Sequence, residues 1–333
     1  MRSIPFARRA AAALGVALLL SAASAHAATE PAMWRIKNGE TTVYLFGSIH
    51  ALPYGVNWRT PVIDKAIKSS DVFVFEAALS ERTIDKIGRF DREKGTLPRG
   101  KSISHMLSAD GLKDFKKLLS KSDAEPGVVN VMRPWRALQM LENAGYIRQP
   151  GDNDEEWSMF AGVDLKLQQE ADKNKIPKRY FETAEQGMAQ LAAAQPDDDM
   201  KSFEHALHKL VTEKFDGKAL LTSWEHGNVA AIAKDNAEEE AKSPVFKHAI
   251  LDQRNQNWLP QLDKMLTEKK TFFITVGAAH LAGKASLMEL VCGEGWKVER
   301  IQTGPTAVSP AACAGFKVNA KAKAPGTEIA LRH

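Results

Sequence analysis

Two tetrads of the form Gly-x-x-His, Gly47-Ser48-Ile49-His50 and Gly277-Ala278-Ala279-His280, follow apolar runs, and a single acid, Glu76, closes a third such run. Imidazole and carboxylate together suit Zn, Mn, Co or Fe. A divalent ion with an open coordination position lowers the pKa of bound water toward about 7 and so supplies a hydroxide nucleophile. His50, Glu76 and His280 therefore form a candidate metal set for hydrolysis, with Glu76 either a third ligand or a general base. The alternative is that each histidine only hydrogen-bonds a loop backbone. Gly47 and Gly277 read as points where the chain turns sharply on leaving a sheet.

Strand ends must supply these positions. Trp34–Lys37 and Thr41–Phe46 read as a hairpin around Asn38-Gly39, a type I′ turn signal. Thr60-Pro61 opens a helix, with a capping hydroxyl and proline in their preferred places. That helix leads into Val72–Phe75, a short apolar run of the kind buried on both faces of a sheet. Met159–Val163, Arg179–Phe181, Thr271–Val276 and Trp296–Ile301 read as further strands, and residues 80–150 and 184–268 as mostly helical. Strands alternating with helices predict an α/β fold: a central mixed or parallel sheet with flanking helices and a helical insertion. Ligands of such sheets bind beyond the carboxyl ends of the strands. Neighbouring strands lie about 4.8 Å apart, so three side chains at adjacent ends can meet on one ion.

Asp164 and Glu182 also follow strand-like runs, and Asp164 reads equally as a helix cap. Arg254-Asn255 precedes Trp258 in a predicted helix. Arg254 reads either as an outer-face residue beside a core tryptophan or as a bidentate anchor for an anion or for Glu76. His205 and His208 share a helix face without a third ligand nearby. His105, His226, His248 and His333 read as surface residues. The chain contains no HExxH, P-loop, GxGxxG or GxSxG pattern.

The chain has 333 residues, 44% hydrophobic and 26% charged, with a formal net charge of +4. That composition excludes collagen-like, wholly disordered and multi-span membrane chains. Residues 1–27 read as an export signal: Arg2, Arg8 and Arg9 precede an apolar stretch too short to span a bilayer, and Ala25-His26-Ala27 fits the cleavage pattern. Removing three arginines leaves 42 basic residues against 41 acidic ones. No basic stripe with interleaved aromatics suggests nucleic acid. The mature chain is expected to lack a membrane span and to be periplasmic or secreted, with residues 28–303 as one domain and 304–333 as a loosely ordered tail. In an oxidising compartment the cysteine pair, Cys292 and Cys313, is expected to form a disulfide.

An ordered set of stretches resembles the TraB/PrgY/GumN family, which includes the animal Tiki proteins. They are Trp34-Arg35-Ile36, Thr42–His50, Val72–Glu76, Ala161–Asp164, Phe181–Gln186, Arg254–Trp258 and Val276–Gly283. The chain is most similar to the GumN-type bacterial branch. The resemblance implies an erythromycin-esterase/ChaN-like α/β architecture and a divalent metal, Mn, Co or Zn, held by His50, Glu76 and His280. It also implies Glu76 and Arg254 as catalytic residues, with Asp164, Glu182, Asn255, Gly47 and Gly277 in support, and a peptide or small molecule as substrate. Ser48 stands where the family commonly has Thr, and Gln253 where it commonly has an acid. Three functions follow as expectations: a metal-dependent, peptidase-like hydrolase; a binding protein that sequesters a peptide, metal or small ligand; or an accessory protein of envelope polysaccharide machinery.

Overall fold

The computed structural model describes residues 29–302, except 79, 123, 144–156, 195–198, 213–216 and 243, together with Cys313. The expected export signal and the tail apart from Cys313 lie outside the described residues.

Eight strands are described: β1 (Met33–Asn38), β2 (Thr41–Ser48), β3 (Leu52–Pro53), β4 (Val72–Phe75), β5 (Trp157–Ser158), β6 (Lys178–Tyr180), β7 (Thr271–Gly277) and β8 (Val298–Ile301). Six form one sheet in the order β6-β4-β7-β2-β1-β8, and β3 pairs with β5 apart from it. The pairs β6–β4, β4–β7 and β7–β2 are parallel, while β2–β1 and β1–β8 are antiparallel. The expected α/β architecture with a mixed central sheet is therefore present. Four parallel strands end on one rim, so whatever follows β6, β4, β7 and β2 is gathered there.

The run Phe272–Val276 is buried without alternation because helices cover both faces of the sheet. Phe272, Ile274 and Val276 face a core with Val72, Val74 and Leu45, closed by Trp258, Leu262 and Met265 of the helix Gln253–Met265 and by Leu287 and Val291 of the helix Leu287–Gly293. Phe273 faces the other way, with Phe46, Phe73 and Phe75. Ile63 and Ile67 of the helix Pro61–Lys68 close that side, with Val163, Leu167 and Ala171 of the helix Val163–Asn174. Burying each such side chain contributes about 1.5–3 kcal/mol. The helices between β4 and β5, with the helix Met200–Thr212, build a separate core around Ile103, Phe115, Phe203 and Leu207.

Two local expectations fail. In the hairpin Asn38 pairs with Thr41, so the loop is Gly39-Glu40 rather than Asn38-Gly39; Gly39 alone takes a positive φ, +55°. Glycine at the first loop position is the II′ pattern rather than I′. Met159–Val163 is not a strand. Met159–Ala161 forms a 3₁₀ turn capped by the Ser158 hydroxyl, and the next helix begins at Val163. The short apolar run had no alternation to separate strand from helix start, and local capping decided it.

Cys292 and Cys313 are bonded, 21 residues apart. The cross-link ties Cys313 to the helix Leu287–Gly293. Replacing both cysteines by serine should lower unfolding stability by about 3 kcal/mol in the chain-entropy account, read as a lower midpoint in denaturant, and reduction of the wild type should give the same shift.

Candidate functional site

The rim carries Glu182 after β6, Glu76 after β4, His280 after β7 and His50 after β2, in the order of the strands. Register places Phe75 opposite Thr275 and Ser48 opposite Gly277, so the strands finish nearly level. Glu76 Oε1 lies 3.8 Å from His50 Nε2 and 3.7 Å from His280 Nε2. The three residues singled out from their types and spacing therefore meet, as the topology requires.

Each imidazole has its other nitrogen engaged. His50 Nδ1 lies 2.8 Å from Asp164 Oδ2, and His280 Nδ1 lies 2.7 Å from Asn255 Oδ1. Asn255 in turn donates to the Ala285 carbonyl at 2.9 Å, which orients its amide with the oxygen toward His280. Both Nε2 atoms are thus turned to the Glu76 side. The two rings differ in setting. The His50 side chain is 57% exposed and the His280 side chain 4%, so solvent reaches the site past His50. Burial pushes His280 down to about 3, leaving a neutral ring. The Asp164 carboxylate raises His50 above the ordinary histidine range.

Arg254 occupies the centre of the buried charge. Its Nη2 donates to Glu76 Oε2 at 2.5 Å and to Glu182 Oε1 at 2.7 Å, and its Nε donates to Glu182 at 3.0 and 3.2 Å. Nη1 donates to the Ile250 carbonyl and lies 3.2 Å from His280 Nε2. The guanidinium also stacks over Trp258 at 4.8 Å, and Trp258 packs on the His280 ring at 4.5 Å. Of the two expectations for Arg254, the outer-face one fails. A π-helical turn, His248–Asp252, precedes this helix and presents Arg254 to the rim; such turns recur at functional sites. Burial disfavours the Glu76 anion, but His280, Arg254, His50 and the Gly277 N–H outweigh it and hold Glu76 well below the usual carboxylate range. Burial likewise opposes the Arg254 charge, and Glu76 and Glu182 raise it above its ordinary value.

The tetrad glycines serve closeness rather than turning. Gly277 has φ −50°, open to any residue, but a Cβ there would stand 3.2 Å from His50 Nε2 and 3.4 Å from Glu76 Oε1. Its N–H, free of a side chain, donates to Glu76 Oε1 at 2.6 Å. A Cβ on Gly47 would press on the Ala278 backbone at 3.1 Å, so the two tetrads pack against each other. Glu182 touches neither histidine; it holds Arg254 and accepts from Trp258 Nε1 at 3.3 Å. Asp164 does not cap its helix, where Gly162 takes the cap position; its carboxylate turns to the site instead. Residue type alone did not single out Ser48, which donates to Asp164 Oδ1 at 3.0 Å, or Trp258 as a site residue. The period of two along a strand was the available signal for Ser48, since it puts Ser48 and His50 on one side. His208 pairs with Asp114 and His248 with Asp252.

The donor chemistry suits a divalent ion. Two Nε2 atoms have orienting partners on Nδ1, the usual outer support of metal-bound histidine. Glu76 keeps Oε1 toward them while Arg254 holds Oε2. Donors of a tetrahedral ion at 2.0–2.2 Å stand roughly 3.3–3.6 Å apart, a few tenths of an ångström closer than Glu76 Oε1 is to either Nε2 here. As placed, no group of three or more His, Cys, Asp or Glu among the described residues meets metal-binding geometry.

The chain is a mixed α/β protein with His50, Glu76 and His280 on the parallel rim of its sheet. A model of the TraB/PrgY/gumN family matches residues 32–300, and the chain belongs to that family. No curated protein matches the chain. No helix among the described residues is long and apolar enough to cross a membrane.

Replacing Arg254 by methionine leaves Glu76 and Glu182 buried without their shared cation. Unfolding stability should fall by about 3–5 kcal/mol, and adding Glu182→Gln should recover part of it in urea titrations.

Proposed function

We propose that the chain is an exported, metal-dependent hydrolase with peptidase-like activity, built on His50, Glu76 and His280. The observation that carries this reading is the approach of both Nε2 atoms to Glu76 Oε1 while both Nδ1 atoms are tied elsewhere. His50, His280 and Glu76 would hold Mn, Co or Zn, which supplies Lewis acidity and a water acidified toward about pKa 7.

The chain's own residues do the rest. Arg254 on Oε2 and the Gly277 N–H on Oε1 keep Glu76 ionised and orient its carboxylate, which suits a ligand; held so far below the usual carboxylate range, it is too weak a base to take the proton from water. Glu182 and the Trp258 face hold Arg254 in that position. Buried His280 stays neutral with its proton on Nδ1 toward Asn255, and its Nε2 lone pair accepts from Arg254 Nη1 at 3.2 Å, a contact that would give way to an ion. The exposed side of His50 leaves the mouth through which a peptide carbonyl can enter.

Purified protein should contain stoichiometric metal by elemental analysis and should cleave members of a peptide library. His50→Ala, Glu76→Ala and His280→Ala should each lose metal and turnover while keeping the circular-dichroism spectrum. Ligand recovered intact, with the variants losing affinity only, would indicate sequestration. Variants that keep full function in the cell would indicate an accessory role. The exported form should begin at Ala28, as read by N-terminal sequencing.

A further inference from the structure

We propose that Asp164 is the positioning residue for His50: its carboxylate, aimed by the Ser48 hydroxyl, holds a proton on Nδ1, so that whenever the ring is neutral or ion-bound the Nε2 lone pair is turned toward Glu76. Its consequence for metal binding rests on the hydrolase reading above; the geometry that carries it does not.

Each Asp164 oxygen has one partner in the site. Oδ1 accepts from Ser48 Oγ at 3.0 Å, and Oδ2 faces His50 Nδ1 at 2.8 Å. The carboxylate is therefore fixed in rotation as well as in place. Asp164 is 5% exposed and Ser48 1%, so water competes little for either. The nitrogen that carries the proton in a neutral imidazole is set by the hydrogen bond the ring makes. An acceptor at Nδ1 thus selects the tautomer whose Nε2 is free. Ser48 faces the acid rather than His50 Nε2, so the trio is not a nucleophile with its base.

The helix that carries Asp164 is locked to the end of β2. Val163 N–H donates to the Ile49 carbonyl at 3.1 Å. Gly162 lies so close to His50 that a Cβ would stand 1.9 Å from its carbonyl oxygen. A larger residue at 162 would push the helix, and Asp164 with it, away from the imidazole. The backbone contact thus sets the distance that the side-chain hydrogen bond needs.

The second histidine supplies an internal comparison. Asn255 Oδ1 engages His280 Nδ1 at 2.7 Å, so a neutral amide oxygen is enough to hold a ring in this way. A residue needed only to begin its helix would not distinguish the variants below.

Histidine-labelled, metal-free protein at alkaline pH, where the rings are neutral, reports the tautomer through imidazole ¹⁵N shifts. In the wild type and in Asp164→Asn, His50 should show an unprotonated Nε2. In Asp164→Ala the proton should shift substantially to Nε2, while the His280 signals stay unchanged and show that the site is folded. Ser48→Ala, which leaves the carboxylate in place, should shift the same equilibrium partway and serves if Asp164→Ala does not fold. Competition against a chelator should show Mn or Zn affinity falling about 10–100-fold in Asp164→Ala, with Asp164→Asn closer to wild type. A wild-type tautomer in Asp164→Ala, or an Asp164→Asn protein that behaves like the alanine variant, overturns the proposal. The tautomer shift in a protein that neither binds metal nor cleaves peptides upholds the role of Asp164 and removes the hydrolase reading.

Discussion

A guanidinium buried between two carboxylates is the interaction on which the rest of the rim depends. Glu76 and Glu182 end adjacent parallel strands, β4 and β6, and their backbones join through Glu182 N–H to the Glu76 carbonyl at 2.9 Å. Two such acids in a low-dielectric setting repel unless a cation stands between them. Arg254 is that cation, and its planar fork serves both acids while its face rests on Trp258. A lysine would offer a point charge and neither the fork nor the stacking face. Arg254 holds one oxygen of Glu76, and the other accepts from the Gly277 N–H and faces the histidines.

The two tetrads look alike in sequence and behave differently in space. His280 is enclosed by Trp258, Arg254 and Asn255 and is neutral. His50 stands at the solvent boundary, paired with an acid. The difference arises from what packs on each strand end. The helix Gln253–Met265 closes over β7, while the first turn of the helix Val163–Asn174 meets β2 from the opposite face of the sheet. Two tetrads alike at the level of the chain become one enclosed imidazole and one accessible imidazole.

Much of the fold was legible from pattern. The apolar runs Val72–Phe75 and Thr271–Val276 lack alternation because helices cover both sides, and Thr60-Pro61 marks a helix start through its hydroxyl and fixed φ. The hairpin slipped by one residue because Asn38-Gly39 and Gly39-Glu40 both offer a glycine, and strand pairing selects between them. Met159–Val163 misled because five apolar residues carry no period, and the Ser158 hydroxyl turned them. At the site, His50, Glu76 and His280 were legible as polar residues after buried strands. Asp164 and Arg254 were visible as residues, but not the sides to which their carboxylate and guanidinium turn.

What the chain determined by itself is the stock of groups and their place along it: two imidazoles after glycine, one acid after an apolar run, an Arg-Asn pair ahead of a tryptophan, and two cysteines. Those follow from local rules of burial period, capping and residue chemistry. The strand order β6-β4-β7-β2 was decided only in three dimensions, and with it which acid lies beside which histidine. So were the π-helical turn that presents Arg254 and the glycine contact that brings Asp164 to His50. Hydrogen-bond geometry depends on tenths of an ångström between segments more than a hundred residues apart, and packing of whole layers, rather than any local propensity, sets those distances.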